Sequence, residues 1–188
     1  MTTHIVTGDQ YSEINKRMKE IKRQLNQEHG SPLYPEAVLD TLQQIIEGDF
    51  SGERTIAQLI VAGNYDWWNQ DINGKNFPIA PRNRDEYNLE LIQFEKRASE
   101  KKILEDLASK GLEIADIVDL LEFGEKYPEE QKRFIIREIG SAWTNPEGEK
   151  HVVVLGMIEG KRILQLFVCH DEFGGESERI LVRRKKSV

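Results

Sequence analysis

From Phe134 to Lys186 the apolar positions come in short, largely β-branched runs: Phe134 to Trp143, Val152 to Leu155, Arg162 to Val168, and Arg179 to Arg183. Turn signals separate them at Asn145-Pro146-Glu147-Gly148, Glu159-Gly160 and Phe173-Gly174-Gly175. No helical period fits these runs. Tight turns join antiparallel neighbours, so the pattern predicts an antiparallel sheet around which the rest of the chain is organised.

Near the start the period lengthens. Tyr11, Ile14, Met18, Ile21 and Leu25 are spaced alternately three and four apart, a heptad seam on a helix predicted over Gly8 to Gln27 and capped by Asp9 or Thr7. Lys16, Arg17, Lys19, Lys22 and Arg23 occupy its other faces. Gly30-Ser31-Pro32 breaks that helix, and Pro35 suits the first position of a second. Val38, Leu39, Leu42, Ile45 and Ile46 lie on one face of the second helix, which Gly48 stops. Residues 1–50 therefore read as a helical hairpin, with the seam expected to pack on Val38, Leu42 and Ile45. The seam is about two heptads long, and its alternative use is self-association, giving a homodimer through the first helix.

Residues 51–84 read as a linker. Thr55 caps a short helix over Ile56 to Ala62, closed by Gly63, and Asn64-Tyr65-Asp66-Trp67-Trp68 follows. Gly74, Pro78 and Pro81 then mark an irregular loop anchored by Phe77. Residues 85–188 read as an α+β antiparallel-sheet domain. It has a strand from Tyr87 to Phe94, a helix capped by Ser99 and closed at Lys110-Gly111, and a helix from Ile114 to Phe123. Ile103, Leu104, Leu107, Ile117, Leu120 and Leu121 of the two helices need cover, which is expected from one face of the sheet. Leu89 to Ile92 is expected to pair with Ile180 to Arg183, since each run otherwise leaves a row of unpaired backbone groups.

The 188 residues carry a formal charge of -7, with a pI near 5.3 and mean hydropathy of -0.57. That acidic balance argues against a nucleic-acid partner, although Arg183-Arg184-Lys185-Lys186 makes a basic tail. Cys169 stands alone, so no internal disulfide and no cysteine-based zinc site is expected. The first residues lack the basic and apolar regions of a signal peptide, and no run approaches the ~20 apolar residues of a membrane span. The expectation is a cytoplasmic protein with no membrane partner.

Candidate chemistry is sparse. Cys169-His170-Asp171 follows a strand, whose neighbouring side chains point to opposite faces, so the three do not converge on a metal. There is no Gly-x-Ser-x-Gly elbow, and Gly156 and Gly160 lack the lysine of a phosphate loop. No catalytic set, cofactor or metal site is read from the sequence. Tyr65, Trp67 and Trp68 are the candidate ligand contacts, because adjacent aromatic rings can stack a ligand. The competing reading has at least one tryptophan buried as packing.

Three segments together resemble a family of uncharacterised bacterial proteins over nearly the whole chain beyond the first helix. They are Tyr34 to Phe50, Ala62 to Trp67 with Phe77-Pro78, and Leu112 to Pro128 with Ile139-Gly140-Ser141-Ala142-Trp143 and Arg179 to Arg184. That resemblance implies no activity. From Tyr87 onward the order strand, helix, helix, strands also resembles C-type lectin-like domains and their formylglycine-generating-enzyme-like relatives. Ile114 to Leu121, Trp143 and Val182-Arg183 stand where those domains carry landmarks, without their Pro-Thr pair, calcium motifs or paired cysteines. The resemblance implies a domain closed by its first and last strands. The functional expectation is a non-enzymatic binding or protein-interaction protein whose partner is a protein or small ligand. The alternatives are a nucleic-acid-linked regulator using the helical N-terminus and basic tail, and an enzyme of unrecognised type.

Overall fold

The structure is a computed structural model that describes residues 7–27, 30–47, 53–79, 86–169 and 172–186. Its order is α1 (Gly8–Leu25), α2 (Pro35–Glu47), α3 (Ile56–Gly63), β1 (Trp67–Trp68), β2 (Tyr87–Ile92), β3 (Ala98–Ser99), α4 (Glu100–Ser109) and β4 (Leu112–Ile114). Then come α5 (Ile117–Lys126), α6 (Glu130–Arg133), β5 (Ile135–Thr144), β6 (Lys150–Ile158), β7 (Lys161–Val168), β8 (Glu172–Phe173) and β9 (Glu178–Lys185). The α+β class is as expected. The chain divides into two compact units, Met1–Gly52 and Glu53–Val188. No helix among the described residues is long and apolar enough to cross a membrane.

In the first unit both helices form where the spacing puts them. Thr7 caps α1, its hydroxyl accepting from the Gln10 amide while the Gln10 side chain accepts from the Thr7 amide. Gly48 lies outside the described residues. Neither helix buries a residue fully; of the positions expected to form the hairpin contact, Met18, Ile21 and Leu25 on α1 and Val38 and Leu42 on α2 are half-buried, whereas Ile45 is exposed. Tyr11 is 64% exposed, Ile14 53%, Leu39 65% and Ile46 77%. Local terms support the exposed first part of α1. A capping box, an Arg17–Glu13 pair at 3.1 Å and an Arg23–Glu20 pair at 2.6 Å supply support that does not depend on burial.

In the second unit the sheet runs β1-β7-β6-β5-β9-β2, with β4 also paired to β9. Most pairings are antiparallel, but β5 runs parallel to β9 and β1 parallel to β7, so the sheet is mixed. The expected closure is observed: Leu91 faces Leu181, Leu89 faces Arg183, and β2 and β9 run antiparallel throughout. Glu159 and Gly160 join β6 to β7 with φ of 50° and 79°, the left-handed pair that a tight hairpin turn requires.

The two central helices do not share a face. Successive side chains of a strand point opposite ways, and β9 shows the division. Leu181 joins a core with α3 and α5, whereas Ile180 and Val182 join a second core with Ile103 and Leu107 of α4. Alternation in β9 gives the sheet two apolar faces, so each helix has its own surface. Leu104, expected to need cover, is 38% exposed.

Residues 53–79, expected as a linker, instead belong to the second unit's core. Ile56, Leu59, Ile60, Tyr65, Ile72 and Phe77 are all buried with α5 and the sheet. Phe77 is the loop anchor the sequence suggested. Asp66 fixes the segment to the sheet: its amide donates to the Arg162 carbonyl at 2.9 Å and its carboxylate accepts the Arg162 amide at 2.7 Å. The Arg162 guanidinium reaches the carbonyls of Gly63 and Gly124, both at 2.7 Å, and Gln131 Oε1 at 3.2 Å. A cation on carbonyls at the C-terminal ends of α3 and α5 suits both helix dipoles.

Candidate binding groove

The sheet splits where β5 leaves β9. After Arg137 the β5–β6 register shifts through residues 138–141, and β4 takes the vacated place beside β9, Ile114 opposite Val182 and Leu112 opposite Arg184. Gly140 makes the close approach possible, since a Cβ there would lie 2.3 Å from the Ala115 carbonyl oxygen. A polar cluster fills the split.

Arg183, on β9, is its centre. Its Nε donates to Asp119 Oδ2 at 2.6 Å, and its Nη2 lies 2.6 Å from the same oxygen and 3.0 Å from Asp116 Oδ2. The aspartates also start α5: Asp119 accepts the Asp116 amide at 2.9 Å, and Asp116 accepts the Asp119 amide at 3.1 Å. Ser141 Oγ accepts the Ile117 amide, while the Ser141 amide donates to Glu138 Oε2 at 2.7 Å. Glu138 is fully buried. Burial pushes its carboxyl well above the ordinary carboxylate value of 4.5; the Ser141 amide opposes the shift, and Asp116 and Asp119 add to it.

This has a measurable consequence. The folded chain holds a proton on Glu138 at pH values where the unfolded chain has released it. The stability tied to this group is fully present below about pH 4.5 and is lost as pH rises toward the raised folded value. Glu138→Gln should therefore gain about 1 kcal/mol or more over the parent at pH 8, with the difference vanishing near pH 4. Urea melts at several pH values check this; a difference that does not change with pH refutes it.

Beside the cluster, whose Asp119 also lines it, β2 and α5 bound a groove of about 560 Å³. Tyr87, Asn88 and Leu89 form one wall and Glu122, Lys126 and Tyr127 the other, with Lys186 lining the groove as a second lysine. The Arg183 guanidinium sits 6.0 Å from the Tyr87 ring, so the buried cluster lies against the groove's tyrosine wall. Lys126 lies 5.2 Å from the Tyr127 ring. Arg54 holds Glu125 at 2.6 Å and Glu122 at 3.5 Å.

The three aromatic candidates do not converge. Tyr65 is buried, its ring between Gly63 and Gly124 and beneath Arg162, whose guanidinium is 5.0 Å from the ring centre. A Cβ at Gly124 would lie 2.2 Å from the Tyr65 oxygen, so that glycine is needed to seat the ring. Burial raises the Tyr65 hydroxyl well above its ordinary value. Trp67 and Trp68 pair with Ile163 and Leu164 on the outer edge of β7. Trp68 is half-buried and packs against the first core, as the packing reading has it in part, while Trp67 is 49% exposed.

Nor is the basic tail four solvated charges. Arg183 is in the buried cluster, Arg184 donates to both Glu90 oxygens at 2.6 and 3.0 Å, and strand β9 continues through Lys185. Cys169 is a half-buried cysteine outside any disulfide; His170 and Asp171 lie outside the described residues. The groove residues went unremarked in the sequence because they are common types on two elements whose approach is long-range. The acidic capping pair before α5 and the arginine inside an apolar strand were the available signals.

Fold and groove together define an α+β protein with helices on both faces of a mixed sheet and a polar groove between its edge strand and one helix. No family model, curated protein or solved structure matches the chain.

Proposed function

We propose that this is a non-enzymatic interaction protein that associates with a second copy of itself through α1 and α2. The observation that carries the reading is the pair of exposed apolar stripes in the first unit, Tyr11 and Ile14 on α1 and Leu39, Ile45 and Ile46 on α2. Exposed apolar side chains gathered on helix faces in this way suit an interaction site. Charge selects the second copy. α1 carries Lys16, Arg17, Lys19, Lys22 and Arg23 against Asp9, Glu13 and Glu20, a net of +2. α2 carries Glu36, Asp40 and Glu47 with no basic residue, a net of -3. Setting α1 of one copy on α2 of the other, twice about a two-fold axis, matches stripe to stripe and basic to acidic surface. Eighteen residues of α1 span about 27 Å, room for an interface near the standard ~800 Å² per partner.

The proposal keeps the cytoplasmic setting, where Cys169 stays a thiol. It also keeps the C-type lectin-like resemblance of the second unit, supported by the pairing of β2 with β9. Sedimentation equilibrium from about 1 to 100 μM should show a monomer–dimer equilibrium. Ile14→Asp and Leu39→Asp, both at exposed positions, should each hold the chain monomeric with the melting of the second unit unchanged. A wild-type monomer at every concentration, or a dimer indifferent to both changes, would sink the reading.

A further inference from the structure

We infer that the outer edge of β2, with the groove beside it, is a docking site for an extended peptide that adds to the sheet as a new strand and places a carboxylate against Lys126. This is independent of self-association, since it lies wholly in the second unit.

Strand β2 ends the sheet, and among the described residues no strand pairs with its outer edge. The register shows which backbone groups that edge offers. The Lys186 amide donates to the Glu86 carbonyl at 2.8 Å, one step beyond the Tyr87–Lys185 pair. Antiparallel pairs alternate between bonded and non-bonded, so Asn88, Glu90 and Ile92 also turn their backbone groups toward β9. Tyr87, Leu89 and Leu91 turn theirs outward. Natural edges are commonly blunted by proline, a bulge or an unpaired charge. Strand β2 has no proline, its ladder to β9 is unbroken, and its one charged side chain, Glu90, is held by Arg184.

The groove supplies the side-chain recognition that such an addition uses. Leu89 and Leu91 pack on the core that contains α5, so an added strand sends every second side chain toward α5. Two residues of strand cover about 7 Å. An apolar side chain would sit over Leu89 and between Tyr87 and Tyr127, the latter 41% exposed. A neighbour two residues along would reach Lys126, whose ammonium stands over the Tyr127 ring. Main-chain bonds would give affinity and these two subsites specificity. The chemistry favours a segment with alternating apolar residues and one aspartate or glutamate.

The test uses the full chain, ¹⁵N-labelled, and a library of acetylated, amidated peptides of about seven residues. Each peptide has β-branched residues at alternate positions and one glutamate or glutamine moved along it. Glutamate peptides should bind, shifting and slowing the exchange of the Tyr87, Leu89 and Leu91 amides. Lys126→Glu should weaken the best glutamate peptide by ~10-fold or more and leave its glutamine counterpart unchanged. Leu89→Pro removes an outward N–H without touching a bond to β9, and should abolish binding of both. Should that variant unfold, Lys126→Glu still decides. No peptide binding tighter than about 1 mM, or binding that Lys126→Glu leaves unchanged, overturns the proposal. So does acetate or benzoate shifting the groove residues while every peptide leaves the β2 amides undisturbed, since that marks a small-molecule pocket.

Discussion

A chain ending at Ser177 should show no cooperative unfolding transition and no protected amides in β2 or β4. Strand β9 is paired to β2 along one edge and to β5 and then β4 along the other, so its removal takes a partner from three strands at once and leaves β5 only its pairing with β6. It also strips Ile180, Leu181 and Val182, none more than 1% exposed, from both cores. Each large apolar side chain contributes about 1.5–3 kcal/mol, and the orphaned backbone groups add to the loss. The sum is comparable with the whole ~5–15 kcal/mol stability of a domain. Leu181→Ala provides the graded comparison, expected to cost about 2–5 kcal/mol in urea melts while the chain still folds. If the truncated chain melts cooperatively, the sheet is assembled without β9 and the closure is peripheral.

Arg183→Met should cost about 3–5 kcal/mol, the range for removing one partner of a buried ion pair. The side chains of Arg183 and Asp119 are 10% and 5% exposed, so Asp119 would stay buried facing Asp116 with no cation between them. The arginine also holds the split in the sheet together, since Asp116 caps α5 and Asp119 lies in its first turn while the arginine belongs to β9. Combining Arg183→Met with Asp119→Asn should lose clearly less than the sum of the single losses, because the second change removes the stranded charge. Additive losses would show that the arginine acts through packing alone.

The sequence determined the local layer of this protein. Thr55, Ser99 and the turn at Glu159-Gly160 do what their residue types dictate, because a cap or a tight turn is settled within a few residues. Alternation and β-branching placed β5, β6, β7 and β9, and the unpaired backbone argument matched β2 to β9 across more than eighty residues. The run Leu112–Ile114 is too short to carry a period, so Ile114 reads as the start of a helix; the identity of the run as β4 depends on β9 lying beside it. Tertiary structure also decided the fate of residues 53–79. Their glycines and prolines read as a linker, yet Ile56, Leu59, Tyr65 and Phe77 are spent on a core supplied by distant α5. It decided that α4 and α5 take opposite faces, since a two-sided strand such as β9 gives no order of preference until both surfaces exist. And it alone made the groove: Tyr87 and Tyr127 are forty residues apart, and only the β2–β9 pairing brings the edge strand against α5.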